Sequence, residues 1–219
     1  MLFEIDNVEL YFKGKSILNG IYLKAETGKI TGLLGSNGSG KTCLLSIVFG
    51  HLKPKYQLIR IDGKACLKPL FKQHIAAYLP QHHLVPNQLK IKMAFKVFAV
   101  DFNQFLERFE GFKPLSKSKF KHLSGGERRL IETYLILKTT SKLVLLDEPF
   151  THLSPIFIED VKQLISEEKK HKAIILTDHL FRNVVELSDD MYLLKNGSTT
   201  PITDVKALED YGYISIDAF

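Results

Sequence analysis

A chain of 219 residues, 45% hydrophobic and 25% charged, is long enough to bury a sizeable core and has the balance of an ordinary globular protein. No apolar run approaches the roughly 20 residues that a membrane-spanning helix needs; the nearest, Ala94 to Val100, is short and interrupted by Lys96. Thirty basic against 24 acidic residues leave a charge of +6, a mild excess that suits anionic partners without choosing among nucleotide, lipid headgroup and nucleic acid.

In chain order, residues 2 to 10 alternate as a strand does, and Ile17 to Lys24 form a second before the turn Glu26-Thr27-Gly28. Glu4, Asp6 and Glu9 do not suit a secretory leader, so the expectation is a cytoplasmic protein. Cys43 and Cys66 make no disulfide or metal pattern and read as reduced thiols.

The apolar run Ile30 to Leu34 then feeds Gly35-Ser36-Asn37-Gly38-Ser39-Gly40-Lys41-Thr42, followed by an apolar helix over Cys43 to Phe49. Strand, glycine-rich turn and helix are the context a phosphate loop requires. Gly35, Gly38 and Gly40 let successive N–H groups turn inward on one anion, and the helix adds its positive N-terminal end. Lys41 is placed to reach the terminal phosphates as a point charge. The Thr42 hydroxyl is placed to hold a magnesium ion bridging them. A nucleoside triphosphate site is therefore expected over Gly35 to Thr42.

Leu58 to Ile61 and Ala76 to Leu79 are short strands around the turn Asp62-Gly63. From Lys92 to Phe109, Met93, Phe95, Val97, Phe98, Phe102, Phe105, Leu106 and Phe109 recur at helical spacing, which predicts one aromatic-rich helix packed into a core. Lys113, Lys117, Lys119 and Lys121 follow without an intervening acid, a run read as a solvated loop in preference to a membrane or nucleic-acid surface. Leu123-Ser124-Gly125-Gly126-Glu127 opens a buried helix over Leu130 to Leu137. A hydroxyl, two glycines and a helix start make a second anion cradle. One nucleotide has little need of two cradles, so the economical account is that Ser124, Gly125 and Gly126 complete a site on another copy.

Leu143 to Leu146 reads as a strand covered on both faces, and Asp147 and Glu148 stand just past it, where open α/β sheets bind ligands. Asp147 suits a magnesium ion and Glu148 a general base acting on water. An amphipathic helix over Ile156 to Glu168, a buried strand over Ala173 to Leu176, a strand from Met191 to Leu194 into the turn Lys195-Asn196-Gly197, and a helix-like Val205 to Tyr211 complete the pattern. Strands alternating with helices predict an α/β fold with a mostly parallel sheet.

These pieces, with Tyr78-Leu79-Pro80-Gln81 and Thr177-Asp178-His179, stand in the order of the ATP-binding cassette (ABC) ATPases, and the chain resembles that family over nearly its whole length. The resemblance implies a single ABC ATPase domain over 1–219, with a P-loop NTPase core (1–86 and 125–219), an antiparallel β subdomain and a small helical subdomain (87–124). It implies ATP and Mg²⁺ as ligands and Gln81 as a magnesium- and water-sensing glutamine beside the membrane-partner contact. It implies His179 as a switch histidine at the γ-phosphate, and an aromatic near the first strand stacked on adenine. Phe12 fits the family spacing best, with Tyr11 the alternative. No metal is expected at His74, His82 and His83, where no carboxylate or cysteine stands at ligand spacing.

Leu123 to Arg129 with Glu132, and Glu148-Pro149-Phe150, are similar to the lipopolysaccharide-export and branched-chain amino acid uptake groups of the family. The implied activity is ATP hydrolysis driving a separate integral-membrane transporter subunit, through head-to-tail pairing with a second ABC ATPase subunit, identical or different, on the cytoplasmic face of the membrane. The alternative is a soluble ABC ATPase in a cytosolic assembly or nucleic-acid process, with nucleic acid the less favoured partner. Two departures stand out. Ser154 replaces the usual aspartate before Pro155, and the interval from Gln81 to Leu123 is short for the helical subdomain.

Overall fold

The computed structural model describes residues 1–204 and 206–213. Two long antiparallel strands open the chain, β1 (Leu2–Phe12) and β2 (Lys15–Glu26). Their period of two buries Phe3, Ile5, Val8 and Leu10 opposite Leu18, Ile21, Leu23 and Ala25. With β4 (Tyr56–Ile61) and β5 (Lys64–Ala65) they form an antiparallel sheet in the order β2-β1-β4-β5. Between β2 and β4 the chain runs through β3 (Ile30–Leu34), buried at every residue, and helix α1 (Lys41–Phe49).

The second sheet is built on β3. Its order is β10-β9-β3-β8-β7-β6, from β6 (Ala76–Leu79), β7 (Leu143–Asp147), β8 (Ala173–Thr177), β9 (Asp190–Lys195) and β10 (Ser198–Ile202). β9, β3, β8, β7 and β6 run parallel, and β10 returns antiparallel on β9. Helices α2 (Ile91–Val97), α3 (Phe102–Arg108) and α4 (Gly125–Leu137) lie between β6 and β7, α5 (Pro155–Glu168) between β7 and β8, α6 (Phe181–Leu187) between β8 and β9, and the short α7 (Ala207–Asp210) after β10.

Because parallel strands are covered on both faces, their side chains divide between two cores. Leu143, Leu145 and Ile175 face one core with α1 and the antiparallel sheet. Val144, Leu146 and Ile174 face the other, with α4, α5 and the aromatic segment 95–120. Helix α1 is thus clamped between two sheets, with Leu44, Leu45, Ile47 and Val48 fully buried. That position fixes the start of α1, where the turn preceding it ends.

The fold is the α/β arrangement expected, and the differences are local. The single helix expected over Lys92 to Phe109 is two: Ala99 takes a left-handed φ of 53°, and Asp101 restarts the chain as an N-cap, accepting from the N–H groups of Asn103 (2.7 Å) and Gln104 (3.3 Å). The break turns Phe95, Phe105 and Phe109 inward onto Tyr134, while Met93 and Val97, counted in the same apolar stripe, are 45% and 68% exposed. Strand β10 was not anticipated, because its run Ser198 to Ile202 contains Pro201, a residue tolerated on a sheet edge. Within the helix-like Val205 to Tyr211, Val205 lies outside the described residues.

Candidate functional site

Strand register brings the site together. Leu79 of β6 pairs with Leu146 of β7, Leu146 with Leu176 of β8, and Leu176 with Gly32 of β3. Four strands therefore release their chains at one edge of the sheet: Gln81 after β6, Glu148 after β7, His179 after β8 and the Gly35–Thr42 loop after β3. This edge, at the carboxyl ends of parallel strands, is where α/β sheets bind ligands.

In the loop, Ser39 N–H donates to the Ser36 carbonyl (3.1 Å), closing a turn whose concave side is backbone. Gly40, at φ 107°, packs so tightly that an added Cβ would lie 2.9 Å from Leu18. Only glycine meets both demands. Lys41 Nζ donates to the carbonyls of Gly35 (2.6 Å) and Ser36 (3.1 Å), folding the ammonium over the loop. Burial lowers its pKa, and Asp147, Glu148 and Asp178 pull it back up. The Ser39 hydroxyl is buried with no partner among the described residues. A buried orphan hydroxyl beside a half-desolvated ammonium suits a loop that wraps an anion.

Asp147 is 1% exposed and accepts from the Thr42 hydroxyl and, at 3.1 Å, from Tyr78 Oη. Burial raises its pKa, the two hydroxyls oppose that, and the neighbouring Glu148 carboxylate pushes it up again. Thr42 and Asp147 thus present hard oxygen atoms in a place where a carboxylate gains from a cation. This donor set fits Mg²⁺, which takes one or two protein oxygens and completes its shell with phosphate and water.

Glu148 sits at a left-handed φ of 57°. Its Oε1 accepts from Gln81 Nε2 (3.1 Å) and its Oε2 from Thr151 Oγ1 (3.3 Å). His179 Nδ1 lies 3.6 Å from Glu148 Oε2 and 3.5 Å from Asp178 Oδ1. Asp178, which the sequence reading left without a role, is buried and receives the N–H groups of Phe150 (3.0 Å) and Leu180 (2.9 Å). It ties the chain after β8 to the chain after β7, so His179 and Glu148 cannot drift apart.

An open cleft of about 610 Å³ collects Asn37, Gly38, Lys41 and Thr42 from the loop with Gln81, Glu148 and His179. Phe12, Ile17 and Cys43 also line it. Tyr11 points elsewhere, with its ring under Lys55 Nζ at 5.1 Å. Of the two aromatic candidates, Phe12 is the one at the cleft, and it is 48% exposed. Ile17 and Cys43 were not singled out from the sequence, because nothing in their spacing separates them from core residues.

Ser124, Gly125 and Gly126 do not line this cleft. Ser124 caps α4 in a reciprocal box: its hydroxyl accepts from Glu127 N–H (3.2 Å), and Glu127 Oε2 accepts from Ser124 N–H (2.8 Å). Gly126 carries a packing demand as well, since a Cβ there would stand 2.6 Å from the His152 carbonyl oxygen. Ser154, the departure noted in the sequence, caps α5 by accepting from Phe157 N–H (3.4 Å), with Pro155 at the first helical position.

Two buried arginines of α4 also escaped the sequence reading. Arg129 is 6% exposed and donates to the backbone carbonyls of Pro80 (2.8 Å), Glu148 (2.9 and 3.2 Å) and Asp147. Burial lowers its pKa, which Glu132 and Asp147 oppose. One guanidinium fork therefore joins the residue before Gln81 to the strained Glu148 peptide. Arg128 pairs with the fully buried Glu132 (3.0 Å), whose Oε1 also takes the N–H groups of Leu84 (3.1 Å) and Val85 (3.0 Å). Arg128 closes the same stretch through Asn87 Oδ1 (2.5 Å) and the Val85 carbonyl. The signal in the sequence was an arginine and a glutamate four apart on a helix with no polar face.

A glycine loop on a helix start beside two strand-end acids defines a phosphate-loop nucleoside triphosphatase of the α/β class. A profile described as "ABC transporter" matches residues 18–151, and the chain belongs to that family, among its ATP-binding and ATP-hydrolysing subunits. It is 30% identical over 207 residues to the lipopolysaccharide export system ATP-binding protein LptB of Escherichia coli K12, spanning 87% of this chain and 86% of that one. It is 28% identical over 207 residues to LptB of Haemophilus influenzae, at 88% and 86% coverage. Among solved structures, an ATP-binding subunit of an ABC transporter superposes with a TM-score of 0.82 at 20% identity, covering 97% and 94% of the two chains, a likeness of fold.

Replacing Arg129 by glutamine removes the fork while leaving Glu148 and Gln81 in the chain. Steady-state ATP hydrolysis is expected to show kcat about 10- to 100-fold lower with KM little changed, as for a small misplacement of a reacting group. Wild-type kcat in a folded Arg129→Gln protein would deny Arg129 this positioning role.

Proposed function

We propose that this chain is the motor subunit of a membrane transporter, and that it works by closing head to tail on a second cassette with ATP between them. The observation that carries this is the separation of the two anion cradles. The cleft holds the loop, Gln81, Glu148 and His179, whereas Ser124, Gly125 and Gly126 lie outside it on the start of α4. A triphosphate seated over Lys41 has one face toward its own loop and the other toward solvent, and a second copy's Ser124 to Gly126 supplies donors for that face.

In this reading Phe12 stacks on the adenine ring, and the N–H groups of residues 35–42, including those of Ser36, Asn37 and Ser39, hold the phosphates. Lys41 exchanges its two carbonyl partners for phosphate oxygens, a stronger charge-assisted contact. Thr42 and Asp147, with Gln81 beside them, would hold Mg²⁺; bound there, the ion would neutralise charge developing on the phosphates. Glu148 takes the proton of the attacking water, and His179 donates to the γ-phosphate. Gln81 already holds Glu148 at 3.1 Å, so movement of the segment 81–87 on closure would be felt at the base. That segment is also the route by which a membrane partner near Gln81 would be moved. No helix among the described residues is long and apolar enough to cross a membrane, which supports a separate membrane-spanning subunit. The names of the LptB relatives, ATP-binding proteins of an export system, support transport as the task.

Glu148→Gln is expected to lower turnover by about two to four orders of magnitude while leaving ATP binding in place. With ATP and Mg²⁺ it should accumulate as a dimer in sedimentation velocity; a variant that hydrolyses normally, or that stays monomeric at saturating ATP, contradicts the reading. The membrane partner is tested by detergent extraction from the native cell and identification of what travels with the chain. A multi-span membrane protein is expected, and an exclusively soluble assembly would remove the transport assignment.

A further inference from the structure

The basic run Lys113 to Lys121, expected as a solvated loop, is not isolated in space. Ile91 N–H donates to the Ser118 carbonyl (3.0 Å), Phe120 N–H to Leu89 (3.1 Å) and Lys121 N–H to Asn87 (3.0 Å). Lys90 and Lys119 meet as a β-bridge. These contacts stitch the stretch before α2 to the stretch before α4, so Lys90, Lys92 and Lys96 share one surface with Lys117, Lys119 and Lys121. All but Lys119 are exposed, and it is half-buried. None of the six makes an ion pair among the described residues. No aspartate or glutamate stands between Val85 and Val100 or between Gly111 and Gly126. The nearest acids are engaged: Asp101 caps α3 and Glu110 pairs with Lys113 at 2.7 Å.

Apolar side chains are set into this lattice of charge. On α2, Lys92 and Lys96 are four apart, as are Met93 and Val97, so the two pairs lie side by side on the outward face. Met93 is 45% exposed and Val97 68%. Ile91, Ala94 and Phe95 of the same helix are buried in the core. Aliphatic tips among flexible ammonium groups fit the boundary between lipid headgroups and acyl chains, with the lysine stems lying along the apolar layer and their charges at the phosphates. A surface for single-stranded nucleic acid would instead present rings to stack on bases, and here Phe95, Phe105 and Phe120 are turned inward.

We propose that this face of the helical segment, the outer side of α2 with the 117–121 strip, rests directly on an anionic membrane surface. The inference builds on the proposed place of the chain at a membrane, because the segment begins a few residues after Gln81, on the side assigned to the membrane partner. The lipid contact is separate from that partner. It sets the tilt of the cassette against the bilayer and raises its local concentration there before any protein–protein contact forms, by the additive attraction of lysines to an anionic leaflet.

Flotation of the purified full chain with vesicles tests this. The wild type is expected to float with phosphatidylcholine vesicles carrying one third phosphatidylglycerol, to stay behind with pure phosphatidylcholine, and to be released as salt is raised. Lys92→Gln, Lys96→Gln, Lys117→Gln and Lys121→Gln combined should cut partitioning by about tenfold or more. Met93→Gln with Val97→Gln should weaken it at unchanged charge. Lys142→Gln with Lys170→Gln, at the opposite end of the parallel strands, should leave it unchanged. The quadruple variant should keep wild-type ATP hydrolysis in solution, which shows that it is folded and keeps this outcome separate from the cassette mechanism. The proposal is overturned if the wild type ignores anionic vesicles, or if the control pair loses as much as the quadruple variant. It is equally overturned if a single-stranded RNA binds through the same lysines while vesicles do not.

Discussion

The interaction on which the rest depends is the backbone ladder joining β6, β7, β8 and β3. A parallel pair has no tight turn to fix its register, so register here comes from side chains that must fill two cores at once. A one-residue slip of β7 would carry Leu143 and Leu145 from the α1 side to the α4 side and exchange them with Val144 and Leu146. It would also move Asp147 away from Thr42 and Glu148 away from Gln81. The hydrophobic pattern that stabilises the sheet and the alignment that assembles the site are one constraint.

On this frame α4 links the Ser124–Gly126 turn at its start to the chain segments that line the cleft. Its first turn carries Ser124 and the glycines, its second carries Arg128, Arg129 and Glu132, and its remaining length is buried against β6 and β7. Taking guanidinium and carboxylate groups out of water is costly, and here the cost is offset by multiple hydrogen bonds to carbonyl and N–H groups of the segment 80–87 and of the chain after β7. Such an arrangement stabilises little more than well-packed apolar residues would. Its product is geometric: any rotation of α4 is transmitted through Arg129 to Pro80 and Glu148 and through Glu132 to Leu84 and Val85. In the proposed mechanism, a second cassette pressing on Ser124 to Gly126 would have a rigid path to Glu148, the proposed base, and to the segment 80–87.

Much of this was legible in the sequence for reasons that can be named. The apolar runs Ile30 to Leu34, Leu143 to Leu146 and Ala173 to Leu176 read as doubly covered strands because nothing polar interrupts them, and the phosphate loop follows its strand with the spacing that the turn requires. The two arginines were not legible in the same way. A charge on a helix is ordinarily solvent-facing, and only the burial of every residue from Arg128 to Leu137 reveals that these two have no water to face. The aromatic segment failed for the opposite reason, since Phe95, Phe102 and Phe105 keep a helical spacing across a break made by Ala99 and Asp101. Whether Phe12 or Tyr11 meets the cleft turned on contacts made only in the fold, Phe12 with the loop residues Asn37 to Thr42 and Tyr11 with Lys55. Gly126 reads as a ligand cradle alone until the His152 carbonyl is seen against it.

The central claim is that a complete site draws on two chains. Mixing two separately disabled proteins tests it most directly: Lys41→Ala, which has no working loop, and Gly125→Glu, which sets a carboxylate where a partner's γ-phosphate would sit. An added Cβ at Gly125 meets His152 only at an ordinary 3.5 Å, and an acidic residue suits the first turn of a helix, so this second protein should fold. Neither alone should hydrolyse ATP. Their equimolar mixture should recover up to about a quarter of wild-type activity, because half of the randomly formed dimers are mixed and each mixed dimer has one intact site. A Gly125→Glu protein that hydrolyses ATP unaided, or a mixture as silent as its parts, would contradict the account.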